Sequence, residues 1–336
     1  MKRAITYDDI SIIPTYSKIE SRSLCNIETN IGKILLSTPL IASPMDTICD
    51  VEMCFEMSIL GGIGILHRFM SIEEQVNSCL DLDYNDVLYG AAVGVNGDSR
   101  LRISRLLAET DVSFLCIDVA HGHHILVKDT ISYIKEKDSS IHVMAGNICT
   151  EEAALVLKSW GADSLRVGIG NGSMCETRIR AGVGVPQVSA IIECLKSDLP
   201  IIADGGCKTT GDIAKSLALG ANAVMIGSLF SGTKETPGII SKMGMWPNEK
   251  LYKKYQGSAS IDSKLSRGKQ SKNVEGNSKI TPYKGKVRRI VNDINDGIRS
   301  SMSYVGAKNL EEFRNKAVFI EVTNAGQIEA QPHGVI

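Results

Sequence analysis

Eight short apolar runs recur about every 25 residues along this chain, and stretches with helical periodicity separate them. Segments such as Ser71–Leu80, Thr150–Trp160 and Gln187–Leu195 carry that periodicity and begin with capping signals. Alternating strand and helix predicts a parallel sheet, and eight buried strands predict closure into a (β/α)8 TIM barrel. A doubly wound open sheet is the alternative, but no Gly-x-Gly-x-x-Gly pattern follows the first run. The eight runs are Pro39–Ser43, Gly62–Leu66, Val87–Val93, Ser113–Asp118, Ile141–Ala145, Asp163–Val167, Pro200–Ala203 and Ala223–Ile226.

The stretch Tyr255–Tyr283 interrupts this alternation. It is rich in Ser, Gly and Lys and shows no apolar face. A polar segment of this length in a compact domain is usually a functional lid or a disordered segment, and we favour the lid. We therefore predict one domain over residues 1–336, a barrel with a mobile polar flap at 256–283 and a final long helix at Val287–Val305.

Charge and cysteine content narrow the function classes. The 37 basic and 38 acidic residues give a net charge of −1, which provides no overall field for nucleic acid or a membrane surface. No apolar run approaches the ~18 residues of a membrane span, and Asp8 and Asp9 interrupt the position where a signal peptide needs its apolar segment. The nine scattered cysteines contain no CxxC pair, which argues against both a disulfide framework and a zinc site. We expect a cytoplasmic protein with no nucleic-acid or membrane partner.

Two glycine turns follow the predicted seventh and eighth strands, at Asp204-Gly205-Gly206 and Gly227-Ser228. Glycine lets backbone N–H groups approach an anion, and the N-termini of the helices that follow favour negative charge. Loops seven and eight are also the usual phosphate position of this fold. The pattern predicts a phosphate site, with Asp204 either accepting from a ribose diol or capping the next helix.

The loop after the sixth strand, Gly168–Gly184, carries a cysteine among glycines. Three glycines precede Cys175, and Thr177 and Arg178 follow it. A cysteine on such a loop can reach a ligand, whereas a core cysteine lies inside a helix or strand. The carbonyl groups of a glycine-rich backbone would suit a monovalent cation as well as the N–H groups suit an anion.

Three histidines after the fourth strand invite a metal interpretation. His121 and His123 flank a glycine, and His124 begins the next helix. We do not favour a metal there, because no carboxylate stands at ligand spacing. Asp118, just before them, could bind a ligand hydroxyl or cap the helix.

The Cys175 loop resembles a known catalytic loop. Residues 168–190, with Gly172-Ser173-Met174-Cys175-Glu176-Thr177-Arg178 at the centre, are similar to that loop of the IMP dehydrogenase/GMP reductase family. The family fold is a (β/α)8 barrel, usually tetrameric. The resemblance covers nearly the whole chain, through Tyr7-Asp8-Asp9-Ile10, Pro44-Met45-Asp46-Thr47, His67-Arg68-Phe69, Ala203-Asp204-Gly205-Gly206, Met225-Ile226-Gly227-Ser228 and Ser303-Tyr304-Val305-Gly306.

The resemblance implies chemistry on a purine mononucleotide held covalently, as a thioimidate, on Cys175. Dehydrogenases oxidise IMP with NAD and hydrolyse the adduct, whereas reductases release ammonia from GMP and reduce the adduct with NADPH. The family's dehydrogenases carry an Arg-Tyr pair on the flap to activate water, but here Arg267 is followed by Gly268. There is also no room between Ser71–Leu80 and Asp86–Val93 for the regulatory domains usual in dehydrogenases. These features, with Ser21-Arg22-Ser23 and Asp118–His121, favour a GMP reductase over a short IMP dehydrogenase.

The resemblance also implies roles for individual residues. Cys175 would be the nucleophile, and Thr177 and Glu275 would relay a proton to the departing amine. Substrate contacts are implied at Asp204, Gly205, Gly206, Gly227, Ser228, Gly257, Ser258, Ala259, Lys272, Asn273, Val274 and Gly276. NADPH contacts are implied at Ser21, Arg22, Arg68, Asp118, Val119, Ala120, Ile169, Gly170, Tyr304, Val305, Gly306 and Ala307. Potassium would bind at Gly170, Gly172, Cys175 and Arg178.

The chain departs from the family pattern at a few positions. Asn171 stands where proline is common, Ser258-Ala259 replaces Met-Ser, and Arg68 replaces lysine. Thr177 could instead be a helix cap and Glu275 a solvated charge, and the whole chain could be a catalytically silent nucleotide-binding barrel. Intact Cys175, Thr177 and Glu275 argue against the silent barrel. A homotetramer is expected from the family.

Overall fold

The computed structural model describes residues 2–245, 247–265 and 274–330. Its helices are α1 (Val51–Ile59), α2 (Ile72–Tyr84), α3 (Ser99–Glu109), α4 (Ile125–Lys137), α5 (Glu151–Ser159), α6 (Thr177–Arg180), α7 (Gln187–Cys194), α8 (Thr210–Leu219), α9 (Ile261–Leu265), α10 (Val287–Val305), α11 (Leu310–Lys316) and α12 (Asn324–Glu329). Short 3-10 helices lie at Tyr7–Asp9, Arg22–Leu24 and Leu195–Ser197.

The strands fall into a central barrel and three smaller sheets. In chain order they are β1 (Ile10–Ile13), β2 (Thr29–Ile31), β3 (Ile34–Leu36), β4 (Leu40–Ala42), β5 (Ile63–Leu66), β6 (Tyr89–Val93), β7 (Phe114–Asp118), β8 (His142–Ile148), β9 (Ser164–Val167), β10 (Ile201–Asp204), β11 (Ala223–Ile226), β12 (Ser241–Met243), β13 (Lys250–Gln256), β14 (Ser278–Pro282) and β15 (Val318–Glu321).

A closed parallel barrel confirms the predicted fold. Its strand order is β10-β11-β4-β5-β6-β7-β8-β9, and the ring is closed where β11 pairs with β4, Val224 opposite Leu40. The strands are buried on both faces, which is why they appear in the sequence as continuous apolar runs. All four residues of β5 are buried, for example.

Helices cover the outside of the barrel, and local sequence sets where they begin. Ser71 accepts a hydrogen bond from the backbone N–H of Glu74, whose side chain accepts one from the Ser71 N–H in return. Thr209 and Asp212 form the same capping box at the start of α8. Such reciprocal bonds satisfy N–H groups that have no partner within the helix.

The core has two parts. One lies between the strands and the surrounding helices, and the other fills the barrel interior with side chains such as Ile41, Ile65 and Met144. Ile31 and Leu36 of the β2–β3 hairpin join the interior cluster, so the hairpin closes one end of the barrel. That is the end where the strands begin, and the opposite end remains open for loops.

Contacts with other segments hold helix α10 at both of its ends. The N–H of Val287 donates to Glu235 Oε2 at 2.8 Å, just beyond the glycine turn that follows β11. At the other end the carbonyl of Tyr304 accepts from the N–H of Thr15 at 3.0 Å. Nearby, Arg314 of α11 donates to the carbonyl of Ala221, which lies just before β11 begins. A helix of 19 residues is about 28 Å long, so these contacts hold α10 in place at both of its ends.

Two expectations about elements need correction. The predicted run Val87–Val93 forms a strand only from Tyr89, and Ile141–Ala145 extends to Ile148. The polar stretch 255–283 contains more regular structure than its composition suggested, because β13 and β14 pair within a three-stranded antiparallel sheet that also includes β12. Within the described residues, no helix is both long and apolar enough to span a bilayer.

Candidate active site

A cavity of about 810 Å³ opens at the end of the barrel where the strands finish. Loops that follow β4, β5, β7, β9, β10 and β11 line it, together with Asn147 of β8, Thr6, Asp8 and Asp9 near the N-terminus, and residues 255, 257–259 and 275–276 from the β13–β14 segment. This is the face of the barrel on which active sites of this fold are built. The cavity therefore collects most of the side chains that the sequence predicts to be functional.

Cys175 lies on the wall of this cavity, half-buried, in the loop after β9. Its N–H donates to the carbonyl of Gly172 at 3.0 Å, which makes a tight turn directly before helix α6. Asn171, at the position where proline is common, donates to the carbonyl of Val185 at 2.8 Å and to Gln187 Oε1 at 2.6 Å. These two bonds tie the start of the Cys175 loop to the segment that returns to α7.

Most of the cysteines outside the Cys175 loop are poorly suited to be nucleophiles. Burial raises the pKa of seven thiols, in four cases to about 12, so these remain protonated and poorly nucleophilic at neutral pH. The seven are Cys25, Cys54, Cys79, Cys116, Cys149, Cys194 and Cys207.

Glu275 reaches Cys175 because the segment before β14 pairs with the Cys175 loop. The N–H of Glu176 donates to the Glu275 carbonyl at 2.7 Å, and the N–H of Asn277 donates to the Met174 carbonyl at 2.9 Å. Cys175 and Gly276 form an isolated antiparallel bridge between these bonds. The bridge brings together residues a hundred positions apart.

A chain of hydrogen bonds joins three predicted catalytic side chains. Cys175 Sγ lies 3.1 Å from Thr177 Oγ1, and Thr177 Oγ1 donates to Glu275 Oε2 at 2.9 Å. Because the hydroxyl proton points to the carboxylate, the thiol is the donor in the Cys175–Thr177 bond. A proton can therefore pass from the thiol to Glu275 by way of Thr177. Thr177 is the first residue of α6 but not its cap, which is Glu176.

The two glycine turns lie side by side at one edge of the cavity. Gly205 and Gly206 have φ of +88° and +86°, a left-handed conformation that a side chain would strain. Helix α8 begins soon after them, with Thr209 as its cap. The expected second helix after Gly227 is absent from the described residues, where a hydrogen-bonded turn continues to Thr233.

Two hydroxyl groups complete this edge. Tyr255 Oη lies 3.1 Å from Ser173 Oγ, and it is close enough to Gly227 that a Cβ there would lie 3.3 Å from it. Burial raises the pKa of Tyr255, so its phenol stays protonated and can donate. Backbone N–H groups and neutral hydroxyl groups can donate hydrogen bonds to an anion, so this edge of the cavity suits a phosphate.

Asp204 lies between the glycine turns and the centre of the barrel. Its Oδ2 accepts from Asn147 Nδ2 at 2.6 Å and from Arg166 Nε at 2.7 Å. It does not cap α8, so that alternative is wrong. Among the described residues no group hydrogen-bonds Oδ1, and the carboxylate faces the cavity.

Arg166 is the charged side chain that joins the two sides of the cavity floor. It is only 8% exposed, and it pairs with Asp204 through Nε and with Asp118 through Nη1 at 2.5 Å. Arg68 Nε approaches the other oxygen of Asp118, Oδ2, at 3.3 Å. Asp118 does not cap α4, whose cap is His124.

Electrostatics keep Asp118 and Arg166 ionised. Burial alone would raise the pKa of Asp118, but Arg166 and Arg68 lower it below its usual value. Burial would likewise lower the pKa of Arg166, and the two carboxylates raise it instead. Two cations and two anions are thus held together at a buried position, where a single unpaired charge would carry a large desolvation penalty.

The residues predicted to contact the cofactor fall into two separate groups. Six of the twelve line the cavity: Arg68, Asp118, Val119, Ala120, Ile169 and Gly170. The other six lie around the end of α10 and do not line the cavity: Ser21, Arg22, Tyr304, Val305, Gly306 and Ala307. Arg22 lies over the Tyr304 ring at 5.8 Å, but Val305 and Ala307 are buried in the core. A contact of the cofactor with this second group therefore stays a prediction.

The remaining predicted positions are mostly near the cavity. Ser258, Ala259, Gly257, Gly276, Gly172 and Arg178 line it, whereas Val274 lies beside it. Lys272 and Asn273 fall outside the described residues. The His121 and His123 rings are 6.4 Å apart, and His123 packs against Trp160. No group of three or more His, Cys, Asp or Glu side chains suited to a metal occurs within the described part of the chain.

Sequence reasoning assigned no role to Arg166, Asn147, Ser173 or Tyr255. One signal was available, since Arg166 is a charged residue inside the apolar run Asp163–Val167, and an arginine in a buried strand needs partners. The other three are common polar residues in loops or at a strand end, and only the fold brings them to the cavity.

Comparison with known proteins identifies the family. Residues 4–333 match the model of the IMP dehydrogenase / GMP reductase domain. The chain is 37% identical to inosine-5'-monophosphate dehydrogenase of Cryptosporidium parvum, over 99% of this chain and 96% of that protein. It is 36% identical to GMP reductase of Acidovorax sp. strain JS42, over 96% of this chain and 97% of that protein. The chain belongs to the IMP dehydrogenase/GMP reductase family of oxidoreductases.

A solved structure supports the same assignment. A cysteine-to-alanine variant of GMP reductase from Trypanosoma brucei, in complex with guanosine 5'-monophosphate, superimposes with a TM-score of 0.91 at 29% identity. The match covers 100% of this chain and 99% of that one. Relatives of both names are similarly close in sequence, so similarity alone does not separate the two activities.

The buried cluster predicts a pH-dependent effect of removing Arg166. In Arg166→Met two buried carboxylates lose their shared partner, and we expect the free energy of unfolding at pH 7 to fall by about 3–5 kcal/mol. The lowered pKa of Asp118 means that its ion pairs stabilise the wild type above the unfolded pKa of about 3.9, and this is lost as pH falls through the folded value. In the variant, burial should raise the pKa of Asp118, so the deficit relative to wild type should shrink between pH 7 and pH 5.

Urea unfolding at both pH values measures this deficit. Arg105→Met is the matched control, because Arg105 makes its ion pairs with Glu73 and Glu109 on the surface, and it should change little at either pH. A deficit for Arg166→Met that is the same at pH 5 and pH 7 would contradict the proposed electrostatics.

Proposed function

We propose that this protein is a GMP reductase, which converts GMP to IMP and ammonia with NADPH as the hydride donor. The observation that carries the proposal is the hydrogen-bonded chain Cys175–Thr177–Glu275 on the cavity wall. It joins a nucleophile to a group that can deliver a proton, and expelling an amine requires both. The flap sequence supports the reductase, because Arg267-Gly268 stands where dehydrogenases carry Arg-Tyr for water activation.

The nucleotide fits the cavity in one orientation. Its phosphate would accept from the N–H groups of Gly206, Gly227 and Ser228, helped by the hydroxyls of Tyr255 and Ser173. Its ribose diol would donate to Asp204, whose Oδ1 faces the cavity. The base would then lie between Cys175 and the backbone of Gly257–Ala259, with Gly276 beside it. The GMP bound to the trypanosomal reductase supports a purine mononucleotide in this barrel.

Deamination follows from the direction of the hydrogen bonds. Cys175 gives its proton through Thr177 to Glu275, and the thiolate attacks C2 of guanine to form a C–S bond. Glu275 returns the proton through Thr177 to the 2-amino group, so the C2–N bond breaks and neutral ammonia leaves. The proton that left the thiol thus departs with the amine, and the thioimidate on Cys175 remains.

Reduction completes the cycle at the same carbon. When bound, NADPH supplies a hydride to C2, and the C–S bond breaks to release IMP. Asp118, Val119 and Ala120 would hold the cofactor's nicotinamide half, because they line the cavity across from the glycine turns. A wall with backbone amides, the Asp118 carboxylate and Arg68 fits a ribose and a carboxamide.

The second cofactor group suggests how subunits assemble. Ser21, Arg22 and Tyr304 do not line their own cavity, so they would contact the cofactor bound to a neighbouring copy. That arrangement supports the homotetramer expected for the family. A domain organisation without inserted regulatory domains is also proposed, and the alignment with IMP dehydrogenase of Nitrosopumilus maritimus supports it by extending over 477 positions against 336 residues here.

Potassium stays a prediction for this chain. The carbonyl oxygens of Gly170, Gly172 and Cys175 are ligands of the type that binds a monovalent cation. The Gly172 carbonyl already accepts from the Cys175 N–H, which leaves one lone pair. Arg178 packs its stem where a Cβ of Gly170 would lie, at 2.4 Å.

IMP dehydrogenase activity is the second candidate. The 37% identity to the Cryptosporidium enzyme favours it, since that value matches the similarity to reductases. The same adduct on Cys175 would then form from IMP with NAD and be hydrolysed to XMP. The reductase would form the adduct by releasing ammonia from GMP, whereas the dehydrogenase would form it by oxidising IMP and would then hydrolyse it. Activity with GMP and NADPH, compared with activity with IMP and NAD, therefore separates the two candidates.

We predict that purified protein oxidises NADPH when GMP is added, and that IMP with NAD gives no XMP. The absorbance of the reduced nicotinamide and chromatography of the nucleotides measure both reactions. The Cys175→Ala variant serves as the control, because it keeps the phosphate and ribose contacts but lacks the nucleophile. XMP formation from IMP and NAD would replace the proposal with the dehydrogenase, and inactivity with both pairs would favour the silent barrel.

A further prediction concerns the relay. Glu275→Gln and Thr177→Val should each slow ammonia release by about 10²-fold or more, in the range of general acid–base contributions. The double variant should be hardly slower than either single variant, because the two residues act as a unit. Reduction of an adduct that has already formed needs no proton from Glu275, so hydride transfer from NADPH to that adduct, followed in a single turnover, should change far less than ammonia release.

The control for this relay is Glu176→Gln, which alters the neighbouring carboxylate that pairs with Arg180 instead. Its rate of ammonia release should stay close to that of the wild type. Additive losses in the double variant, or an unchanged ammonia release in Glu275→Gln, would place the proton donor elsewhere.

A further inference from the structure

We propose that Arg166 makes the binding of the purine nucleotide and of the nicotinamide cofactor cooperative. It is a positioning residue, because its guanidinium holds the carboxylates of Asp118 and Asp204 in a fixed orientation relative to each other. These are the carboxylates that would contact the two ligands. This inference rests on the proposed function, because it needs both ligands in the cavity. It goes beyond that function by assigning the energetic coupling between the ligands to a single side chain.

The barrel places the two ligand walls opposite each other. The glycine turns follow β10 and β11, which are neighbours in the ring. Four strands around the ring from β11 lies β7, which ends in Asp118. A nucleotide phosphate on the first wall therefore leaves the second wall for another ligand.

Arg166 crosses from one wall to the other. It lies at the end of β9, and its guanidinium contacts Asp204 Oδ2 at 2.7 Å and Asp118 Oδ1 at 2.5 Å. Among the described residues it alone pairs with both carboxylates, since Asn147 contacts only Asp204 and Arg68 contacts only Asp118. The guanidinium is planar and rigid, so the orientation of one carboxylate restricts the other.

Burial strengthens this connection. The side chains of Arg166, Asp118 and Asp204 are 8%, 14% and 16% exposed, and charges screened so little by water interact strongly. The cluster of Arg68, Asp118, Arg166 and Asp204 has no net charge, so each pair depends on the others for compensation. A displaced Arg166 would leave two carboxylates without a counter-ion.

The coupling should be positive, because the first ligand orders side chains that the second ligand also contacts. A ribose diol that donates to Asp204 holds that carboxylate and, through it, the guanidinium and Asp118. The second ligand then meets an Asp118 that is already fixed, and it loses less conformational freedom on binding. Linkage requires the same effect in the other direction, so each ligand should tighten the other by the same factor.

An unreactive pair of ligands allows this factor to be measured. IMP with NADPH cannot turn over, because neither the oxidising cofactor nor a 2-amino group is present. The dissociation constant of IMP, measured by calorimetry with and without saturating NADPH, gives the coupling ratio directly. We expect a ratio of about fivefold or more in the wild type, the lower end of typical coupling between sites.

Three variants separate coupling from affinity. Arg166→Lys keeps the positive charge, but an ammonium group lacks the planar, forked set of N–H donors that lets a guanidinium bind both carboxylates at once. The coupling ratio should therefore fall to about one. Asp118→Asn breaks the pair at the far end while Arg166 still contacts Asp204, and its ratio should fall as well. Asn147→Ala is the matched control, because it removes a contact of the same carboxylate, Asp204, that does not reach Asp118. It should weaken IMP binding and leave the ratio unchanged.

The outcomes decide the proposal. Loss of the ratio in Arg166→Lys and Asp118→Asn with retention in Asn147→Ala supports it, and circular dichroism checks that each variant is folded. Should Arg166→Lys fail to fold, Asp118→Asn decides alone. A wild-type ratio near one, or a ratio retained in Asp118→Asn, overturns the coupling while the proposed function stands. Absence of IMP binding to the wild type would instead reject the proposed function.

Discussion

Closure of the barrel is the constraint on which the site depends. When β11 pairs with β4, eight parallel strands must finish at one end, and every loop that follows a strand faces the same space. This is how the glycine turns after β10 and β11, the Cys175 loop after β9 and Asp118 at the end of β7 come to share one cavity. The opposite end is filled by the β2–β3 hairpin and serves stability.

One part of the site does not come from the barrel. Glu275 belongs to the segment that leads into β14, and it reaches Thr177 because that segment pairs with the backbone around Cys175. The β13–β14 sheet therefore supplies the carboxylate, and the barrel supplies the nucleophile. Arg166 connects the remaining polar groups, so the cavity floor acts as one ionised unit whose members hold each other in place.

The sequence predicts the barrel well because its signals are local. Buried parallel strands are apolar without interruption, as in Ile63–Leu66, and capping boxes such as Ser71 with Glu74 mark helix starts. Contacts between residues far apart in the sequence were harder to predict. The strands β13 and β14 are polar and pair across more than twenty residues, so no local pattern announces them. Val305 and Ala307 show another limit, because a family motif gives positions in the sequence but does not tell which of the side chains are buried.

The most direct test of the account asks whether GMP alone forms the adduct on Cys175. After incubation without any nicotinamide and an acid quench, peptide mass spectrometry should find the purine nucleotide attached to Cys175. One ammonia should be released for each adduct formed. A reductase must pass through this adduct before hydride transfer, so the cofactor is not needed. No adduct from GMP, together with an adduct on Cys175 from IMP and NAD, would contradict the account and identify the chain as a dehydrogenase.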